Sequence, residues 1–186
     1  MRKLEIILWS TAASGLLLKV LHLPFAGLLI VLSLSLLMLL YFLLSWMLFP
    51  QPNKKDQILG LSIFCGIAFT IQLEAILFKV QIWPMAGFFS ILGLLLTGVV
   101  LILAMAMRGG RPQLATYFNG LFRRAIPLFV LGLLLYPVDE IDILRFHYRD
   151  EPFKSELLDQ LEQTTDPAER RIIMQKLHDV QYREPD

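Results

Sequence analysis

Lys19-Val20-Leu21-His22-Leu23-Pro24-Phe25-Ala26-Gly27 and Lys79-Val80-Gln81-Ile82-Trp83-Pro84-Met85-Ala86-Gly87 stand 60 residues apart and agree at five of nine positions: Lys, Val, Pro, Ala and Gly. Each copy lies between two apolar runs long enough to cross a bilayer, so the chain reads as a duplicated membrane hairpin. Pro24 and Pro84 restrict the residue before them and end the preceding helix. Ala26-Gly27 and Ala86-Gly87 let the next helix begin against close-packed backbone.

Outward from the first copy, the apolar run from Leu4 to Val20 follows Arg2 and Lys3 and contains small residues from Thr11 to Ser14, as a signal peptide does. The run continues through Leu16, Leu17 and Leu18, and its counterpart 60 residues later cannot be a signal, so it is read as a retained helix. Ala26 to Phe49 has no charge and is the clearest span. Pro50 to Asp56 breaks the helix and forms a polar loop. Ile58 to Val80 and Ala86 to Met107 repeat the design, closed by the turn signal Arg108-Gly109-Gly110-Arg111-Pro112. A fifth uncharged stretch, Ala125 to Val138, has 14 residues, a length that suits an interfacial or re-entrant helix. With Arg123 and Arg124 snorkelling from its near end, it extends to a full crossing instead. Tyr136-Pro137 resembles the end of the repeated motif, which reads as a degraded third copy.

The fold expected is an all-α integral membrane protein in four parts: a first transmembrane hairpin (1–56), a second (57–112), a fifth apolar helix that spans or lies at the interface (113–138), and an acidic soluble helical tail (139–186). Composition agrees, with 56% hydrophobic and 18% charged residues. The net charge of +1 conceals a split: ten basic residues and three acids up to position 138, then seven basic residues and thirteen acids. Such a tail lacks the basic footprint of nucleic-acid binding. Cys65 sits alone inside an apolar run, which excludes an internal disulfide. His22, His147 and His178 are scattered, no pair has zinc-ligand spacing, and no Gly-rich phosphate loop or nucleophile motif occurs. No enzymatic activity, metal or cofactor is therefore expected.

If every segment crosses, Arg2, Lys3, Lys54, Lys55, Arg108, Arg111, Arg123 and Arg124 share one side and only Lys19 and Lys79 the other. The positive-inside rule then puts the N-terminus in the cytoplasm and the motif turns on the outer side of the membrane. The tail is outside with five spans and cytoplasmic with four, and so periplasmic in the first case if the membrane is a bacterial inner membrane, as the family resemblance given below implies. It reads as a helical hairpin: Asp150-Glu151-Pro152 starts one helix, with Phe153, Leu157, Leu158 and Leu161 on one face. Asp166-Pro167-Ala168-Glu169 starts the next, with a stripe of Ile173, Leu177 and Val180.

Lys19 and Lys79 lie about one turn before their prolines, and Trp83 suits the headgroup zone, as in an anchored hairpin end. Alternatively the two lysines face a shared polar cavity. Glu74 lies five residues before Lys79, on the order of 7 Å deeper in the helix, where a carboxylate is costly unless protonated, paired or wetted. Lys19 is its expected partner, and Gln72 a further hydrogen-bonding group. Thr11 with Gly15, Ser62 with Gly66, and Gly93 with Thr97 form small-xxx-small pairs that permit close helix contacts.

Merged, the two copies give Lys-Val-x-His-Trp-Pro-x-Ala-Gly, which resembles the Lys-Ile-x-His-Trp-Pro-Gly-Ala turn in the transmembrane hairpin of the GldL family of Bacteroidetes gliding-motility proteins. The likeness touches Lys19, His22, Pro24, Ala26, Lys79, Trp83, Pro84 and Ala86. It implies a hairpin module of the inner-membrane machinery of gliding and type IX secretion. That family carries an acid for proton coupling in its second helix, whereas Ala26–Phe49 and Ala86–Met107 contain none. The resemblance thus implies a relative of the module and not the motor subunit. Two functional classes are expected from these residues: a non-enzymatic membrane subunit or scaffold with a membrane-protein partner or a second copy of itself, or a small transporter or ion-responsive sensor centred on Glu74, Lys19 and Lys79.

Overall fold

The structure is a computed structural model that describes residues 2–21, 23–48, 58–147, 152–164 and 166–182. His22, the 50–56 loop and the start of the first tail helix at Asp150 and Glu151 lie outside the described residues. Eight α-helices are described: α1 (Arg2–Val20), α2 (Ala26–Leu48), α3 (Leu59–Gln81), α4 (Ala86–Gly109), α5 (Ala115–Leu135), α6 (Glu140–His147), α7 (Pro152–Gln163) and α8 (Pro167–Tyr182). A single 3-10 turn, Pro112–Leu114, leads into α5, and no strand occurs among the described residues. The chain divides into two compact units, Met1–Pro137 and Val138–Asp186.

Four helices, α2 (over Ala26–Ser45), α3, α4 and α5, are long and apolar enough to cross a membrane, and they mark a membrane protein. Arg2, Lys3, Glu5 and Lys19 keep α1 out of that group. The 21-residue α5 begins at Ala115, ten residues before the uncharged stretch, because Tyr117, Phe118 and Leu121 extend its buried face.

In the first unit α3 is the hub, packing on α2, α4 and α5, while α1 packs on α2 and α4 on α5. Its spanning window is 61% buried, against 28–33% for the other three. The small residues explain how the helices approach. A Cβ on Gly15 would lie 2.8 Å from Ile30 of α2, one on Gly66 would lie 2.5 Å from the Tyr41 carbonyl oxygen of α2, and one on Gly93 would lie 3.0 Å from the Gln72 Cα of α3. All three small-xxx-small pairs therefore serve contacts inside this chain. Outward, Leu32, Leu36 and Leu39 on α2 and Ile91, Leu95 and Ile102 on α4 are exposed, as lipid-facing positions are.

The second unit has three helices where two were expected. Ile141 and Leu144 of α6 pack against Leu157, Leu158 and Leu161 of α7 and Ile173 and Leu177 of α8. Phe153, expected on the buried face, is exposed, because α6 covers the Leu157–Leu161 side. The side chain of Val180 lies outside the described residues. Asp166 Oδ1 accepts the Ala168 backbone N–H at 3.0 Å, the N-cap that the sequence pattern predicts. Arg145 on α6 donates to Asp159 (2.9 Å) and Glu162 (2.7 Å) on α7. Glu162 first, and Asp159 with it, raises the pKa of that guanidinium.

Candidate functional site

The two motif turns share one local geometry. Leu23 N–H donates to the Leu18 carbonyl and Trp83 N–H to the Phe78 carbonyl, both at 2.9 Å. Leu29 N–H donates to the Phe25 carbonyl and Phe89 N–H to the Met85 carbonyl, at 3.0 and 3.1 Å. Phe25 (φ 65°) and Met85 (φ 68°), each directly after the proline, both adopt the left-handed conformation, an unusual state for bulky side chains. Ala26 and Ala86 are buried at these helix starts. A Cβ on Gly87 would meet nothing within 4 Å, whereas one on Gly27 would touch Gln81 at 3.5 Å. Close packing at the turn is thus the work of the alanines, and Gly87 is not needed for it.

At this turn end the lysines part ways. Lys19 Nζ donates to the Val80 carbonyl at 2.6 Å and to Gln81 Oε1 at 3.0 Å, and Gln81 Nε2 donates to the Gly27 carbonyl at 3.0 Å. Val80 is in the last turn of α3, where carbonyls have no intrahelical donor and carry the negative end of the helix dipole. Lys19 therefore caps α3 and does not reach for Glu74, the partner that the sequence suggested. Lys79 is buried, and its ammonium makes no hydrogen bond among the described residues. Trp83 is partly exposed, edge-on to Phe78 at 5.3 Å between ring centres.

Midway along α3, Gln72 is fully buried between Gly93 of α4 and Gly132 of α5. Both of its amide atoms, and Thr97 Oγ1 on α4, lack a hydrogen-bond partner among the described residues, a condition costing about 1–3 kcal/mol per group. Glu74 is half-buried and has no ion pair among the described residues. Gln72 and Glu74, two residues apart, fall on different faces of α3, so the structure does not bring them together.

The opposite end holds a constellation that sequence reasoning missed. Arg124 Nε donates to Glu5 Oε1 and Arg124 Nη2 to Glu5 Oε2, each at 2.6 Å. The Tyr41 hydroxyl donates to Glu5 Oε1 at 2.7 Å, Trp9 Nε1 to the Tyr41 oxygen at 3.4 Å, and Arg124 Nη1 to the Gly120 carbonyl at 3.1 Å. This bidentate pair, with side chains 9% and 15% exposed, ties α1, α2 and α5 together. Next to it, the Tyr117 hydroxyl lies 3.0 Å from that of Ser62, linking the starts of α5 and α3. Sequence separation hid the pair, since Glu5 and Arg124 are 119 residues apart. The one signal was that each stands at the edge of an apolar run, Glu5 as the one acid of the first and Arg124 beside Arg123.

Beside the pair opens a cleft of about 1460 Å³, bounded by α1, α2, α4 and α5. Its lining runs from Arg108 and Arg123 down to Ile126 and Leu131, and neither Lys19 nor Lys79 takes part. Pro127 lies in this wall, inside α5. Lacking an N–H, it leaves the Arg123 carbonyl without its usual helical donor. No group of three or more His, Cys, Asp or Glu residues able to hold a metal occurs among the described residues. Comparison with known proteins gives no matching family, no matching curated protein and no matching solved structure.

Proposed function

We propose that this chain is a non-enzymatic inner-membrane subunit or scaffold, in which a helical bundle of two repeated hairpins and α5 anchors an acidic helical tail that contacts other proteins. The observation that carries this reading is how polar groups in the bundle are used. Glu5 is consumed by Arg124 and Tyr41, and Lys19 by the Val80 carbonyl and Gln81. Groups spent on joining helices suit a rigid anchor better than a moving transport pathway. The shared turn geometry supports duplication of the hairpin, while a relationship to the GldL-type module rests on the merged motif alone. The basic residues support an N-terminus in the cytoplasm and, with five crossings, a periplasmic tail.

A second reading, a transporter or ion-responsive sensor, is favoured by Glu74 and Lys79, which have no partner among the described residues, since intramembrane ionisable groups are functional by default. Affinity purification from native membranes separates the two. A stoichiometric partner lost on deletion of residues 139–186 is the outcome expected of the scaffold. A lone protein or homo-oligomer, unchanged by the deletion, would shift the weight to the sensor and make Glu74→Gln the next variant.

A further inference from the structure

The cleft beside the ion pair has an unbalanced charge. Glu5 is the one acid in its lining among the described residues, and both of its oxygens are already taken by Arg124. Arg108 and Arg123 also line it; both are exposed, and neither has a carboxylate partner among the described residues. Arg108 lies 5.7 Å over the Phe122 ring, which holds its guanidinium at the mouth without neutralising it. Deeper along α1, α4 and α5 the wall turns apolar, through Ile6, Met105, Ile126 and Leu131. From Arg123 to Leu131, α5 rises about 12 Å, so the cationic rim surmounts a hydrophobic slot.

We infer that this cleft is a binding site for an anionic phospholipid, with the phosphate between Arg108 and Arg123 and an acyl chain along α5 toward Leu131. The charge selects an anion, and the apolar slot on helices able to cross a membrane selects one with a lipid tail over a free phosphate or an acidic peptide. Basic pockets between membrane helices bind lipid headgroups by this chemistry. Arg124 belongs to the Glu5 pair and is not a ligand. The inference requires only that the bundle sits in a bilayer, so it stands or falls separately from the scaffold role.

The test uses the intrinsic probe in the site, since Trp9 lines the cleft. With Trp46→Phe and Trp83→Phe, Trp9 is the one remaining tryptophan of the three. The full chain, reconstituted in phosphatidylcholine vesicles, is titrated with brominated phosphatidylglycerol or brominated phosphatidylcholine. Quenching of Trp9 is expected to show a preference for phosphatidylglycerol on the order of tenfold, from two unpaired arginines near the membrane surface. That preference falls toward unity in R108Q/R123Q, is kept in R108K/R123K, and weakens as salt is raised. Equal quenching by the two lipids in the wild-type background overturns the site. So does an equal preference reported by a protein retaining only Trp83, which reads the other end of the bundle.

Discussion

At the turn end of the bundle, Lys19 and Gln81 satisfy carbonyls at the close of α3 and the start of α2 through single hydrogen bonds. At the opposite end Glu5 and Arg124 grip each other with two, and a cleft opens beside them. Both devices join helices that are not consecutive: Lys19 links α1 to α3, and Glu5 links α1 to α5. The difference lies in what each leaves behind when a member is lost. Val80 is a neutral carbonyl that tolerates an absent donor at modest cost, whereas Glu5 would remain as a buried, uncompensated charge. Helix α1, the least apolar of the five bundle helices, is thus fastened at both ends by polar contacts and along its length by Gly15 against Ile30.

The largest effect is expected at the ion pair. Arg124→Gln should lower stability by about 3–5 kcal/mol, read as reversible unfolding in mixed micelles, and adding Glu5→Gln should recover part of that loss. A double variant no better than the single one would show that the two side chains act independently. Next comes Lys19→Met, expected to cost about 1.5–3 kcal/mol, the value of a charged hydrogen bond. The motif-equivalent Lys79→Met should cost less than 1 kcal/mol or stabilise, because its ammonium has no partner among the described residues. Equal losses at the two lysines would break the contrast between the copies. Between the ends, Gln72→Met removes two unpartnered polar atoms at nearly constant volume. A gain of about 1 kcal/mol is expected, and a loss would mean that Gln72 is bonded in the membrane.

Much of the architecture is visible in short windows of the chain. Apolar runs of spanning length, the proline-terminated turns and the Asp166 cap each depend on residues within a few positions of one another. The fifth helix was harder to read, because its first ten residues are polar enough to pass for a loop until Tyr117, Phe118 and Leu121 are seen to share a buried face. In the tail α6 was missed for the same reason: Ile141 and Leu144 make too short a stripe to stand out before α7 and α8 cover them. The expected pairing of Glu74 with Lys19 failed because a nearer acceptor, the carbonyl end of α3, competes for the ammonium.

What belongs to the chain alone is therefore its class, its hairpin turns and its division of charge, since hydropathy, proline geometry and capping are local and act the same in any context. The partner of each ionisable group was decided only in three dimensions. Glu5 and Arg124 meet because α5 returns beside α1, and Gln72 is isolated because Gly93 and Gly132 close over it. Pairing energy falls off within a few ångströms, and which groups come that near depends on how all five helices of the bundle settle together.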